Sequence, residues 1–324
     1  MINIKEQSLM FAPMEGITDE YYRNVVSRLY PEWDTFSCDF LRVPTTAPYP
    51  KKHVIKHYGK ELIENNEIKN KTIYQILTSP GAFTVDTVKT IEELEVKWLD
   101  LNLGCPSKTV CRNKGGSFLL SELSELQKII RTIRQNYKYT FTCKIRVGYR
   151  DDSNFENILK LLQDEGVDAI KIHARTRDEL YKGVANWDYV KRAVELVNTP
   201  IIGNGDIWNV EDIKKYFEYT GCHSIMLARS ALKTPWLAKL YKEEIEETPK
   251  FRTKMMIEYF KEFYEETKKQ PNLIESSRIK RIKSVCRYIF DDLPEGEIYR
   301  RKVLLSKSFD EQISHLQELL KKLN

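Results

Sequence analysis

Short apolar segments rich in β-branched residues recur along the first two thirds of the chain, and charged segments with helical periodicity separate them. Most of the apolar segments are continuous rather than alternating, which is typical of parallel strands buried on both faces. The eight predicted strands cover residues 9–13, 35–40, 72–77, 98–103, 141–146, 168–174, 200–203 and 223–228. Strand and helix alternating eight times predict an α/β fold of the (β/α)8 (TIM) barrel type, with an open doubly wound sheet as the alternative. The segment 41–71 fits this regular pattern least well.

Three segments between the predicted strands carry clear helical patterns. Ser153 and Glu156 have the spacing of a capping box, and Gly166 is suited to end the helix that they begin. Further helices are predicted over residues 121–135 and from Asn209 onwards. The residues expected to face the core are Phe155, Ile158, Leu159 and Leu162 in the first helix, Leu123, Leu126, Ile130 and Ile133 in the second, and Val210, Ile213 and Phe217 in the third.

The character of the chain changes near residue 245, where strand-like segments stop and long charged helical segments begin. We therefore predict a barrel domain over residues 1–245 and a small helical bundle over residues 246–324. The net charge of the chain is +5, and residues 250–324 hold 17 basic against 12 acidic residues, which is the whole surplus. Such a basic helical domain is typical of a protein that binds a polyanion, although a solvated helical face has the same composition.

The remaining composition narrows the class of protein. The first residues show no basic-then-apolar signal pattern, and no apolar run reaches the roughly 18 residues of a membrane span, so we expect a cytoplasmic protein that does not contact a membrane. The six cysteines include no Cys-x-x-Cys pair, which argues against a structural zinc site, and we expect no metal. We also expect a monomer.

Polar residues stand at or just after the end of nearly every predicted strand, where the catalytic residues of a barrel lie. They are Glu15, Gln75, Asn102, Cys105, Lys144, Arg146, His173, Asn204, Asp206 and Arg229. Lys144, His173 and Arg229 can converge on an anion, and residues 204–206 permit a close backbone approach to phosphate. Lysine, amide and backbone donors also suit the polar edge of a flat heterocycle with carbonyl groups.

Cys105 lies between Gly104 and Pro106 in a loop that runs on to Gly115 and Gly116. Small and rigid neighbours indicate a displayed side chain rather than one that fills the core. The sequence offers it no obvious carboxylate or histidine partner for nucleophilic catalysis, so a proton donor is at least as good an interpretation as a nucleophile.

Five segments carry the motifs of one enzyme family. They are residues 12–18 (APMEGIT), 100–108 (DLNLGCPSK), 144–148 (KIRVG), 173–176 (HART) and 204–207 (NGDI). Together they resemble the tRNA-dihydrouridine synthases, for which Asn-x-Gly-Cys-Pro is close to diagnostic. Residues 104–110, 204–208 and 278–280 are most similar to the bacterial class C enzymes, which modify position 16 of tRNA. The chain departs from the family pattern at Ala228 and Thr78, where the family usually has glycine.

The resemblance implies an FMN-dependent oxidoreductase in which NADPH, or NADH, reduces the flavin. Hydride then passes to C6 of a flipped-out uridine in the D-loop of tRNA, while Cys105 protonates C5. The implied cofactor-binding residues are Pro13, Met14, Glu15, Gln75, Lys144, His173, Asn204, Gly205, Asp206, Ala228 and Arg229. The implied contacts to the uridine are Asn102, Arg146 and Tyr181, and the implied contacts to the rest of the tRNA are Arg42, Arg278, Lys280 and Arg301.

Residues 277–287 hold five basic residues and no acidic one. Helical spacing predicts that Ile279, Ile282 and Cys286 face the core, whereas Arg278, Arg281 and Lys283 spread over the exposed surface, as in phosphate-backbone binding. Three alternatives stay open at this point: an FMN barrel acting on a free pyrimidine, a synthase acting on another tRNA position or on rRNA, and a tRNA-binding protein without catalysis.

Overall fold

The computed structural model describes residues 4–270, 272–286 and 288–323. The strands are β1 (Leu9–Phe11), β2 (Thr35–Ser37), β3 (Leu41–Arg42), β4 (Thr72–Leu77), β5 (Trp98–Leu103), β6 (Thr140–Arg146), β7 (Ala169–His173), β8 (Ile201–Asn204) and β9 (Ser224–Leu227). The first ten α-helices are α1 (Glu20–Leu29), α2 (Lys51–Tyr58), α3 (Lys60–Glu64), α4 (Asn66–Lys71), α5 (Thr84–Glu93), α6 (Lys108–Arg112), α7 (Leu123–Gln135), α8 (Phe155–Asp164), α9 (Asp188–Leu196) and α10 (Val210–Thr220). The others are α11 (Arg229–Lys233), α12 (Leu237–Lys242), α13 (Pro249–Lys268), α14 (Glu275–Val285), α15 (Gly296–Leu305) and α16 (Phe309–Lys322), and a 3₁₀-helix spans Gly116–Ser121.

The strands form a closed parallel barrel, as the sequence predicts. Each strand pairs with the next along the chain from β4 to β9, and the pairings of β9 with β1, β1 with β2 and β2 with β4 close the ring of eight. The short β3 pairs with the carboxyl end of β4. It lies in the irregular segment 41–71 together with α2, α3 and α4. Closure excludes the open doubly wound sheet, since an open sheet leaves two unpaired edges.

The chain folds as two compact units, one of residues 4–19 and 34–227 and the other of residues 20–33 and 228–323. The predicted boundary after residue 245 falls inside the second unit, which begins directly after β9. Helix α1 also belongs to the second unit, because aromatic residues in and just after it pack there. Tyr22 of α1 lies edge-on to Phe263, and the ring centroids of Tyr30, the residue after α1, and Trp236 are 6.1 Å apart. Nothing in the sequence of α1 indicates this long-range partner.

The predicted core faces of the barrel helices hold in part. All four expected residues of α8 are buried, and so are Leu126, Ile130 and Ile133 of α7, whereas Leu123 is half-buried. In α10 the buried face consists of Ile213, Tyr216 and Thr220, and Val210 and Phe217 are only half-buried, so their predicted place in the core was wrong. The capping box was also wrong: the Ser153 hydroxyl donates to Asp151 at 2.6 Å, and α8 begins after Asn154 without a side-chain cap.

Helices α13, α14, α15 and α16 form the main part of the second unit. Arg252 of α13 is buried and donates to Glu247 at 2.9 Å and to the Ile289 carbonyl at 3.1 Å. Glu266 of α13 accepts from Asn24 at 3.1 Å and pairs with Arg28 at 3.1 Å, which fixes α1 to α13. No helix in the described part of the chain is both long and apolar enough to cross a bilayer.

Candidate active site

A pocket of about 340 Å³ in the barrel unit gathers ten of the residues singled out from the sequence. Its lining consists of Pro13, Met14, Glu15, Phe40, Gln75, Asn102, Gly104, Cys105, Pro106, Lys144, Arg146, His173 and Tyr181. The strand register explains the gathering, because Asn102 pairs with Lys144 and Arg146 pairs with His173 on adjacent parallel strands. Residues two apart on a strand face the same side, so the carboxyl ends of several strands present their side chains to one space.

The loop that carries Cys105 is held by hydrogen bonds to its backbone on both sides. The side-chain oxygen of Asn102 accepts from the Gly104 and Cys105 N–H groups at 3.0 and 2.9 Å, and the Ser117 hydroxyl donates to the Cys105 carbonyl at 2.8 Å. Gly116 has φ +58°, and a Cβ there would lie 3.1 Å from the Cys105 oxygen. The loop therefore displays the Cys105 thiol in a fixed conformation, and this thiol is half-buried whereas the other five cysteines are buried.

The protonation state of Cys105 follows from its surroundings. Burial raises the pKa of the Cys105 thiol; the Ser107 backbone N–H opposes that shift and Glu15 adds to it. At neutral pH the thiol keeps its proton, since even an ordinary cysteine titrates above pH 8. A protonated thiol is a poor nucleophile and a competent acid, so the environment favours the proton-donor interpretation.

Lys144 brings a positive charge into the pocket from β6. Its ammonium group donates to Asn204 at 3.4 Å. Burial, together with the nearby Arg146, lowers the pKa of Lys144 to about 8, whereas Asp100 opposes the shift. Burial makes the charge of this ammonium group unfavourable, and a carbonyl oxygen or an anion beside it would stabilise that charge. Lys144 is therefore suited to bind a carbonyl or an anion.

The residues expected near a phosphate lie next to His173. Gly205 has φ +128°, and a Cβ there would approach His173 Cδ2 to 3.2 Å. Asp206 accepts from both Arg175 and the Ala185 N–H, and the guanidinium of Arg175 lies 3.3 Å from His173 Nε2. The Asp206 carboxylate is thus part of an internal ion pair, so only its backbone suits the anion site inferred from the sequence.

Arg146 joins the two loops that frame the pocket. Its guanidinium donates to the Gly104 carbonyl at 3.0 Å and to the Thr176 and Leu180 carbonyls at 2.8 Å each. The ring of Tyr181, which is 59% exposed, lies 5.4 Å from that guanidinium. Arg146 therefore acts on the pocket mainly by fixing the loop that presents Tyr181.

A second layer of polar residues lies beneath the pocket, and the sequence analysis missed it. Asp100, Thr142 and Lys171 are buried two positions before Asn102, Lys144 and His173 on their strands. Lys171 pairs with Asp100 at 2.6 Å, and the Thr142 hydroxyl donates to the same carboxylate at 2.7 Å. The two-residue spacing behind known pocket residues is the signal that could have found them.

The remaining predicted residues are not among those that line the pocket. Arg42 is exposed on β3. Ala228 and Arg229 follow β9 directly, and Ala228 has φ −117°, a conformation that does not require glycine. In the second unit Lys280 and Arg301 are exposed, while Arg278 is half-buried beside Glu275 at 3.7 Å.

The predicted core face of α14 is confirmed, because Ile279, Ile282 and Cys286 are buried. The expected exposure of the basic residues beside it was wrong. Arg281 and Lys283 are half-buried, and the Lys283 ammonium donates to the Ser306 carbonyl at 2.7 Å. The last residue of the basic segment, Arg287, lies outside the described residues.

Comparison with known proteins decides between the classes of enzyme that this pocket could serve. The family model described as dihydrouridine synthase matches residues 10–324, which is nearly the whole chain. The chain belongs to the dihydrouridine synthase family. It is therefore an oxidoreductase enzyme, and the match extends through the helical second unit as well as the barrel.

Relatives within this family are about 30% identical to the chain over the part that aligns. The tRNA-dihydrouridine(16) synthase of Shewanella oneidensis is 34% identical over 72% of this chain and 75% of its own length. The tRNA-dihydrouridine(16) synthase of Aquipseudomonas alcaligenes is 32% identical over 71% of this chain and 74% of its own. A tRNA-dihydrouridine synthase B from Vibrio parahaemolyticus is 29% identical over 72% and 70%.

Solved structures support the fold at much lower identity. A histamine dehydrogenase from Rhizobium sp. 4-9 superposes with a TM-score of 0.53 at 12% identity over 78% of this chain. A 6-hydroxypseudooxynicotine amine oxidase from Pseudomonas geniculata has a TM-score of 0.52 at 9% identity over 79%. This chain spans about half the length of each of those proteins, 48% and 50%. The likeness establishes the barrel architecture alone.

Proposed function

We propose that the chain is an FMN-dependent tRNA-dihydrouridine synthase that reduces a uridine of the D-loop, at position 16. The observation that carries the proposal is the half-buried Cys105 thiol, whose pKa is raised, in the same pocket as Lys144, Gln75 and His173. Membership of the family supports the reaction, and the names of the relatives support position 16.

The donor set of the pocket fits the ring system of FMN. A lysine ammonium and two side-chain amides stand around a space of about 340 Å³, and these groups match ring carbonyls and nitrogens. Gln75 and Lys144 would hold the ring, and Pro13, Met14 and Glu15 would lie against it. His173, Asn204, the backbone of Gly205 and Asp206, Ala228 and Arg229 would hold the ribityl phosphate. When bound and reduced by NADPH or NADH, FMN supplies the hydride for C6 of uracil.

The protein itself supplies position and a proton. Asn102 and Tyr181 would orient a uracil that has left the base stack, since the ring must be unstacked to enter the pocket. Arg146 would hold the loop that bears Tyr181. The Cys105 thiol would then give its proton to C5, which suits a group that remains protonated at neutral pH.

The tRNA would be held by charge on both units. Arg42, Arg278, Lys280 and Arg301 are the proposed contacts, of which Lys280, Arg301 and Arg42 are exposed. Exposed lysine and arginine side chains bind phosphate groups without reading the sequence. A cytoplasmic location and a monomeric state stay predictions.

The decisive test is mass-spectrometric mapping of dihydrouridine in RNA from cells with and without the gene. Loss of dihydrouridine at position 16 of tRNA is the expected result. Loss at another tRNA position or in rRNA would correct the proposed target. Unchanged RNA together with reduction of free uracil by the purified protein would favour the free-pyrimidine alternative, and a colourless protein that takes up no FMN would refute the cofactor.

A further inference from the structure

A chain of hydrogen bonds leads from the buried ion pair beneath the pocket to the Cys105 loop. Asp100 accepts from Gln75 Nε2 at 2.6 Å, and Gln75 Oε1 accepts from Asn102 Nδ2 at 2.8 Å. Asn102 Oδ1 in turn accepts from the Cys105 N–H at 2.9 Å. We call Asp100, Gln75 and Asn102 the amide relay. Its lower end is fixed by Lys171, which pairs with Asp100 at 2.6 Å.

The direction of the amide relay is set at both ends by groups that cannot reverse their role. An ionised carboxylate only accepts hydrogen bonds, and a backbone N–H only donates. Gln75 must therefore present its NH₂ group to Asp100 and its oxygen to Asn102, and Asn102 must present its oxygen to the Cys105 N–H. No other combination of the two amide orientations satisfies every bond.

Lys171 keeps this arrangement in place by stabilising the charge on Asp100. Both side chains are almost completely buried, with 0% and 2% exposed. A carboxylate so far from water needs a partner to stay ionised.

We propose that Asp100, held by Lys171, is a positioning residue that fixes the orientation of the Gln75 and Asn102 amides and through them the conformation of the Cys105 loop. The inference rests on the proposed function in so far as Cys105 is the acid. The competing explanation is that the buried pair contributes only to the stability of the barrel.

The first variant reverses the amide relay. In Asp100→Asn the new side chain must present its oxygen to Lys171 and its NH₂ group to Gln75. Both amides then turn over, and Asn102 presents NH₂ to the Cys105 N–H, donor against donor. A second change, Gln75→Glu, moves the carboxylate one place along the relay. The amide introduced at position 100 then donates to the carboxylate introduced at position 75, which also accepts from Asn102, and the original direction is restored above it.

The main readout is the rate at which iodoacetamide alkylates Cys105 in flavin-free protein, measured by peptide mass. It requires no activity, and the other cysteines are buried. We expect roughly tenfold faster alkylation in Asp100→Asn, because the loop loses a backbone hydrogen bond. In Asp100→Asn/Gln75→Glu the rate should return to within about twofold of wild type. For tRNA reduction, Asp100→Asn should lower kcat roughly tenfold and leave KM within about twofold.

Asp168→Asn is the matched control. Like Asp100, Asp168 accepts hydrogen bonds and forms an ion pair: it accepts from the Phe141 N–H at 2.7 Å and pairs with Arg134 at 3.0 Å, but it is not part of the amide relay. It should lower the Tm without changing the alkylation of Cys105. If Asp100→Asn behaves like Asp168→Asn, or if Gln75→Glu restores nothing, the proposal is overturned.

Two further outcomes are also decisive. If Asp100→Asn does not fold, Gln75→Met interrupts the amide relay while it leaves the Asp100–Lys171 pair in place. Faster alkylation of Cys105 than in wild type would support the proposal, and an unchanged rate would overturn it. If alkylation follows the predicted order but wild type makes no dihydrouridine, the positioning role stands and the proposed function fails.

Discussion

The charged residues beneath the pocket of the barrel unit are buried, whereas several of those on the basic helices of the second unit are exposed. Under the pocket, Asp100 and Lys171 are withdrawn from water and joined directly. On α14, Lys280 is exposed, and the half-buried Arg278 lies 3.7 Å from Glu275, which is itself exposed. Buried charges depend on fixed geometry, whereas exposed charges act through the surrounding ionic atmosphere.

This difference teaches how the two regions should respond to change. A variant in the pocket should alter kcat or cofactor affinity by a large factor that salt hardly affects. A variant on the basic surface should alter the affinity for RNA by a smaller factor that depends strongly on salt. The predictions below test that contrast, beginning with the largest expected effect.

Replacing Cys105 by Ala should lower kcat for uridine reduction by about 10² to 10⁴, the usual contribution of a positioned acid. The affinity for tRNA should stay within about twofold at every salt concentration, because no charge is removed. Single-turnover kinetics and filter binding measure the two quantities. Full activity in Cys105→Ala would remove the thiol from the mechanism and leave the pocket without an assigned acid.

Lys144 should make FMN binding depend on pH. The Lys144 side chain attracts a ring carbonyl only while it is protonated. FMN binding is therefore strongest below pH 8, the pKa of Lys144 in the flavin-free protein, and weakens as the pH rises through the pKa of Lys144 in the complex. We expect roughly tenfold weaker binding at about pH 10 than at about pH 7, measured by flavin fluorescence. Lys144→Met should bind weakly at both values, and Lys97→Met, a lysine beside Tyr139, should behave like wild type. A flat wild-type profile would contradict the assignment.

Gly116 tests how firmly the Cys105 loop is held. Gly116→Ala would place a methyl group 2.9 Å from Val110 Cγ1 and 3.1 Å from the Cys105 oxygen at φ +58°. Gly81 is the matched control, since it has φ +79° and no atom within 4 Å of the place that a Cβ would occupy. Both substitutions should cost about 1 kcal/mol of stability through backbone strain. Gly116→Ala should lower the free energy of unfolding, measured in urea, by more than Gly81→Ala does, and should also reduce kcat roughly fivefold. Equal effects of the two substitutions would mean that the Cys105 loop adjusts to the added methyl group.

The smallest effect is expected on the basic surface. Arg278→Ala/Lys280→Ala should weaken tRNA binding about threefold near physiological salt and reduce the slope of log K against log salt by about 1 to 2. Arg300→Ala/Lys302→Ala removes the same charge, but these side chains already pair with Glu297 at 2.6 Å and Glu318 at 3.0 Å. An equal loss of tRNA affinity in both double variants would mean that the second unit attracts RNA through its overall charge and not through Arg278 and Lys280 in particular.

The sequence indicated most of the barrel and most of the pocket for identifiable reasons. Buried parallel strands read as continuous apolar segments, and all eight predicted strands occur near their expected positions. Lys144 and His173 were found because a charged or polar residue interrupts the apolar end of a strand. Lys171 was missed because it lies in the middle of a strand, where a single charged residue among apolar ones has no evident role until Asp100 is seen beside it.

Local sequence by itself determined the repeating strand and helix pattern, the glycine-flanked cysteine and the accumulation of positive charge at the end of the chain, because each depends only on neighbouring residues. Only the tertiary structure decided that α1 packs on α13, that Asp206 is engaged by Arg175, and that a buried carboxylate connects through two amides to Cys105. Those contacts join residues up to 242 positions apart, such as Asn24 and Glu266. Hydrogen bonds and side-chain packing over such separations are set by strand register in the barrel and by helix packing in the second unit, and no local pattern records them.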